Sequence, residues 1–227
     1  MKRISTSTGP FPIRLYYPDD EIERICSKAL ADTGFLPTKL GPIRIDRFID
    51  TKFNVPIIWE TLDQGVLGYT EFGPSGVKSV HITPATGDLF VQEDRRINAT
   101  LAHEAGHILL HTQLFVEHFA NQTTFRSHPQ VTDTYIMCRE EKSIVLSKEK
   151  PGYAGEWWEF QANRAIGALL MPKELFLTFM QPFLKRTGIS TIAPLPPKVQ
   201  QEAIKAASDV FDVNEMVARI RIESHPL

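Results

Sequence analysis

The stretch Thr100-Leu-Ala-His-Glu-Ala-Gly-His-Ile-Leu-Leu-His111 organises the reading of the whole chain. It contains His103-Glu104-Ala105-Gly106-His107, an HExxH pattern. On a helix, residues four apart lie one turn apart on the same face, so both imidazoles can reach one ion. Zinc suits imidazole nitrogen, and a catalytic zinc site takes three protein ligands and keeps one position open for water. Glu104 neighbours His103 and therefore falls beside the metal, where it can take a proton from a water whose pKa zinc lowers from ~15.7 to roughly 7. HExxH arises by accident in about 1.5% of chains of this composition. Its setting argues against accident. Leu101, Ala102, Ala105, Ile108, Leu109 and Leu110 make an apolar helix, and two histidines and a glutamate inside it require partners. Gly106 costs a helix about 1 kcal/mol against alanine and allows another backbone to pack closely.

A third ligand is required. His111 continues the same face, but it lies ~12 Å along the axis from His103, too far for both to reach one ion through ~2 Å bonds. His111 is expected to support a ligand or to pack. Downstream, Glu156-Trp-Trp-Glu159-Phe-Gln-Ala-Asn163 opens another helix. A carboxylate from that helix would complete a His/His/Glu site. Glu156 and Glu159 both qualify by position. On spacing alone, each taken separately reads as a solvated first-turn glutamate favoured by the helix dipole.

Outward from this region the pattern is α+β. Residues 1–17 read as extended, with Pro10 and Pro12 opposing a helix. A helix follows Pro18, with Ile22, Ile25, Cys26, Ala29 and Leu30 on one face, and Ile43 to Phe53 reads as a second, short one. Val55–Leu62, Val66–Phe72, Val77–Ile82 and Leu89–Gln92 read as strands of a small, mainly antiparallel sheet, punctuated by glycines. The helical pattern runs from Arg95 through His111. Residues 113–152 read as an irregular excursion, and such lengths are usually functional or mobile. Gly155–Leu170 is helical again, and Met171-Pro172 opens another helix. After a proline-rich stretch, Thr191 to Pro197, two final helices span Lys198–Phe211 and Asn214–Ile222.

The chain has 227 residues, 42% hydrophobic and 23% charged, with a net charge of −2. That length can bury a substantial core. There is no bulk positive field to attract nucleic acid. Cys26 and Cys138 stand far apart and outside any CxxC pair, which suits a reducing compartment. No apolar run approaches the ~20 residues of a membrane span. A cytoplasmic protein is expected, with no direct nucleic-acid or membrane partner. The last helices carry Phe211-Asp-Val-Asn-Glu-Met-Val-Ala-Arg-Ile-Arg221, which looks like half of a helix-turn-helix, but Arg219 and Arg221 are its only basic residues. Packing or partner docking is the expected role.

Two motifs together, Thr100–His111 and Glu159-Phe-Gln-Ala-Asn163 running to Ala168-Leu-Leu-Met-Pro172, resemble those of the ImmA/IrrE metallopeptidases. Gly65-Val-Leu-Gly-Tyr-Thr70 is similar to that family's strand region, and the resemblance covers roughly residues 40–175. It implies a zincin-like α+β core with an HExxH helix and a second ligand-bearing helix, within a domain of residues 1–190, followed by a C-terminal helical extension at 191–227. It implies zinc held by His103, His107 and Glu159, with Glu159 chosen over Glu156, and Glu104 as the catalytic base. Asn163 becomes a candidate to orient a ligand. The implied activity is hydrolysis of a peptide bond in a protein substrate, a helix-turn-helix transcriptional repressor in several members. The metzincin extension is absent, since Gln113 stands where its histidine would be. The wide spacing between His107 and Glu159 departs from compact members and bears on substrate choice. Two alternatives keep the same motifs: a metal-bound module that binds a partner without cutting it, and a zinc amidohydrolase acting on a small substrate. Tyr135, Tyr153, His118 and His128 are further candidates to steady charge on a carbonyl oxygen, each more ordinarily a surface or packing residue.

Overall fold

A computed structural model describes residues 1–5, 11–84, 90–122, 135–139, 157–188 and 195–224, with backbone alone for 90–93, 121–122 and 135–139. Two short strands come first, β1 (Lys2–Ser5) and β2 (Ile13–Tyr16), paired antiparallel. Helices α1 (Asp19–Asp32) and α2 (Ile45–Phe53) follow, then β3 (Ile57–Trp59), β4 (Val66–Gly73) and β5 (Gly76–Ile82). The long helix α3 (Phe90–Gln122), strand β6 (Tyr135–Arg139) and helices α4 (Trp157–Leu170), α5 (Lys173–Thr187), α6 (Pro197–Phe211) and α7 (Glu215–Ser224) complete the α+β architecture.

The main sheet has the order β3-β5-β4-β6. Its β5–β4 and β4–β6 pairs are antiparallel and its β3–β5 pair is parallel. In β4, Val66, Gly68, Thr70 and Phe72 are buried while Leu67, Tyr69 and Glu71 are less so, the period-two pattern of a strand with one face on the core. Gly68 is where α3 crosses that face. A Cβ there would come within 2.9 Å of Thr100 Cγ2 and 2.8 Å of the His81 carbonyl, so only glycine lets the helix lie this close.

Behind α3 lies the core. Phe48 of α2, Ile22 and Leu30 of α1, Leu101 of α3, Leu169 of α4, Phe176 of α5, Ile204 and Phe211 of α6 and Ala218 of α7 belong to one buried cluster. Residues 195–224 therefore share a core with the rest of the described chain. Gly106 is the contact point between α3 and α4. A Cβ on it would sit 2.8 Å from Ala165 Cβ and 3.2 Å from the Ala162 backbone. A second, smaller cluster of Phe11, Leu15, Phe72, Leu114, Phe115 and Trp157 lies beneath the N-terminal hairpin, with Phe72 and Phe115 stacked at 4.0 Å.

Three expectations are corrected. Phe90 to Gln92, read as strand, begin α3. The helix does not stop at His111 but continues to Gln122, because Leu114 and Phe115 prolong its buried face past the polar pair Thr112-Gln113. The excursion then contains a strand, since β6 extends the sheet on β4. The C-terminal helices also take up one of their two arginines: Arg221 is 3% exposed and forms a bidentate ion pair with buried Glu23 of α1. Among the described residues, no helix is long and apolar enough to cross a membrane.

Candidate metal centre

His103 and His107 sit one turn apart on α3, and Glu159 enters from the first turn of α4. The close approach at Gly106 brings these two helices together at the level of the histidines. Both histidines are fully buried and Glu159 is 7% exposed. The two Nε2 atoms stand 2.9 Å apart, with Glu159 Oε2 3.1 Å from His103 Nε2 and Oε1 3.4 Å from His107 Nε2. Three ligands bound to one tetrahedral zinc at ~2.0–2.1 Å lie roughly 3.3 Å from each other, which is the spacing these atoms have. Among the described residues, no other group of three such side chains brings its ligand atoms so close together.

The donor chemistry also fits a cation. His103 Nδ1–H donates to Asn163 Oδ1 at 2.9 Å, so the neutral ring presents a lone pair at Nε2. Asn163, the candidate from the resemblance, thus contacts the His103 ring. Burial alone would raise the Glu159 carboxyl, but His107 and His103 outweigh it and hold it well below the usual carboxylate range. For His103, burial works against the charged ring, yet the Glu159 carboxylate raises its pKa on balance. Burial lowers that of His107. Without a metal, the pocket therefore holds an anionic carboxylate against histidines, an arrangement that could hold a cation.

Glu104, fully buried, does not join the triad. Its Oε2 accepts a 2.7 Å hydrogen bond from Thr70 Oγ1 on β4, while its Oε1 is buried with no hydrogen-bond partner. Burial pushes its pKa up to about 8, against a lowering influence from His103 and Thr70. A buried carboxylate with one oxygen held and the other open is arranged to exchange a proton with a small molecule such as water. A cavity of about 70 Å³ lies against His103 and Asn163, between α3, α4 and α7.

His111 is not grouped with the triad; its ring lies behind His107, Nδ1 to Nδ1 at 3.0 Å. Its Nε2 is 3.0 Å from Gln161 Oε1, and burial and His107 lower its pKa to about 3. Thr70 and Gln161 had no role assigned from sequence. Both lie within stretches that carry the family resemblance, but Thr70 reaches Glu104 from the sheet and Gln161 links His111 to the N-terminal hairpin. His118 lies off the site, edge-on to Phe11. Glu156, Tyr153 and His128 lie outside the described residues, and Tyr135 is described by its backbone alone. A scan against protein-family models finds no match, and a search of curated proteins finds none.

Proposed function

We propose that this chain is a zinc-dependent peptidase of the ImmA/IrrE type. The observation that carries the reading is the buried His103/His107/Glu159 triad with the open oxygen of Glu104 beside it. His103, His107 and Glu159 would hold the ion. Zinc, when bound, supplies Lewis-acid polarisation of a carbonyl and acidification of water. Glu104 does the proton work. Thr70 fixes one carboxyl oxygen, leaving Oε1 to take the proton of the attacking water and then return it to the leaving amine. Asn163 keeps the His103 ring in register. The substrate class, a protein and in particular a helix-turn-helix repressor, rests on the resemblance of the two motifs alone.

The test is Glu104→Gln. It should retain zinc and lose hydrolysis by about 10²–10⁴-fold, the usual weight of a positioned acid–base group. Used as a trap in cell extract, it should hold an intact protein that the wild type cuts. Cleavage by the variant at the wild-type rate sinks the mechanism. Capture of a partner that the wild type leaves intact favours a non-cleaving module, and turnover of small amides alone favours an amidohydrolase.

A further inference from the structure

Resting on the metal reading above, we propose that His111 and Gln161 are positioning residues that lock His107 in its zinc-binding tautomer, anchored on the backbone of the N-terminal hairpin. The argument is one of valence. Gln161 Nε2 donates to the Leu15 carbonyl of β2 at 2.7 Å. A carbonyl only accepts, so the orientation of the amide is set, and Oε1 faces His111 Nε2 at 3.0 Å. An amide oxygen cannot donate, so the hydrogen belongs to His111 Nε2. His111 is fully buried, and its hydrogen-bond partners, Gln161 and His107, are not anions, so the ring is neutral and its Nδ1 is a lone pair. His107 Nδ1, 3.0 Å away, must then carry the hydrogen and donate it. That leaves the lone pair of His107 on Nε2, the atom 2.9 Å from His103 Nε2 and 3.4 Å from Glu159. Every link is forced by the one before it.

The chain starts far from the metal in sequence, at residue 15. Tyr17, just after β2, adds a second tie by donating to the Leu110 carbonyl on α3 at 3.2 Å. The hairpin therefore acts on the metal centre through α3 and α4, although none of its described side chains belongs to the His103/His107/Glu159 group. Partners that fix a ligand histidine in this way are commonly worth 10–100-fold in metal affinity.

Zinc affinity, measured by competition with a chromophoric chelator, separates this role from simple packing. His111→Leu keeps the bulk but removes the acceptor, and should weaken zinc by about 10–100-fold. His111→Asn places an amide oxygen where Nδ1 was, and should stay within about threefold of wild type. Gln161→Leu should fall between them. In the zinc-loaded wild type, ¹⁵N spectra should show His111 protonated at Nε2. Thermal melts of each variant establish that it is folded, and the asparagine variant keeps the test open if the leucine variant is not. Equal zinc affinity for folded His111→Leu and wild type overturns the proposal, as does His111→Asn falling as far as His111→Leu, or an Nδ1-protonated His111. A wild type that binds no zinc overturns the metal reading as well, and so distinguishes the two failures.

Discussion

Glu104→Gln has a consequence for stability that can be measured without a substrate. In the metal-free protein, burial raises the Glu104 carboxyl from 4.5 to about 8. Between those values the folded chain keeps a proton that the unfolded chain has released. Stability then falls as pH rises, by about 1.4 kcal/mol per pH unit for one group. From pH 5 to pH 8 this sums to roughly 4 kcal/mol, an order-of-magnitude figure for a fully buried group. Glutamine has the same shape, does not titrate, and can accept the same hydrogen bond from Thr70. Urea denaturation of both proteins after chelator treatment should show near-equal stability at pH 5, with the variant gaining progressively towards pH 8. Repeating the titration with zinc should flatten the difference, because a cation nearby favours the carboxylate. A gap that stays constant with pH in the metal-free protein refutes the burial argument for Glu104.

Gly106→Ala should destabilise the fold by about 1–2 kcal/mol, the overpacking cost exceeding the gain in helix propensity. It should also weaken zinc binding, because the new methyl group meets Ala165 and Ala162 and pushes Glu159's helix away; a stabilised, fully metal-competent variant would contradict this packing. Glu23→Ala removes the anion paired with buried Arg221, which keeps its bond to the Met171 carbonyl, and should cost about 3–5 kcal/mol in denaturant, whereas replacing both partners with apolar residues should cost much less. Equal losses for the single and double variants would show that the pair is not the cause. Apparent zinc affinity should fall as pH drops through the raised pKa of His103, since below it the ring holds a proton where the ion belongs. A flat pH profile by calorimetry would contradict that competition.

The parts of the site that were legible in sequence are those that helical spacing carries. His103 and His107 follow from one turn of helix, and distance along the axis makes His111 a poor co-ligand, in keeping with its hydrogen bond to His107. Glu159 was legible only through its resemblance to a known motif, because a carboxylate on another helix has no fixed sequence offset. Thr70 and Gln161 were not assigned, since their roles depend on β4 lying under α3 and on the N-terminal hairpin reaching α4. These are long-range placements with no local signal. The length of α3 was underestimated for a related reason. Thr112-Gln113 looks like an ending, yet Leu114 and Phe115 find a second cluster under the hairpin that continues the helix. Strand β6 lacks clean alternation, and its pairing with β4 depends on a partner strand about seventy residues upstream.

The most direct test is metal content. Wild-type protein, purified without added metal and then dialysed against trace zinc, should carry one zinc per chain by elemental analysis. His103→Ala and Glu159→Ala should each lose it, and Glu156→Ala should keep it. A wild type without bound zinc, or a Glu159→Ala variant that retains a full equivalent, would contradict the assignment of His103, His107 and Glu159 as the metal's ligands.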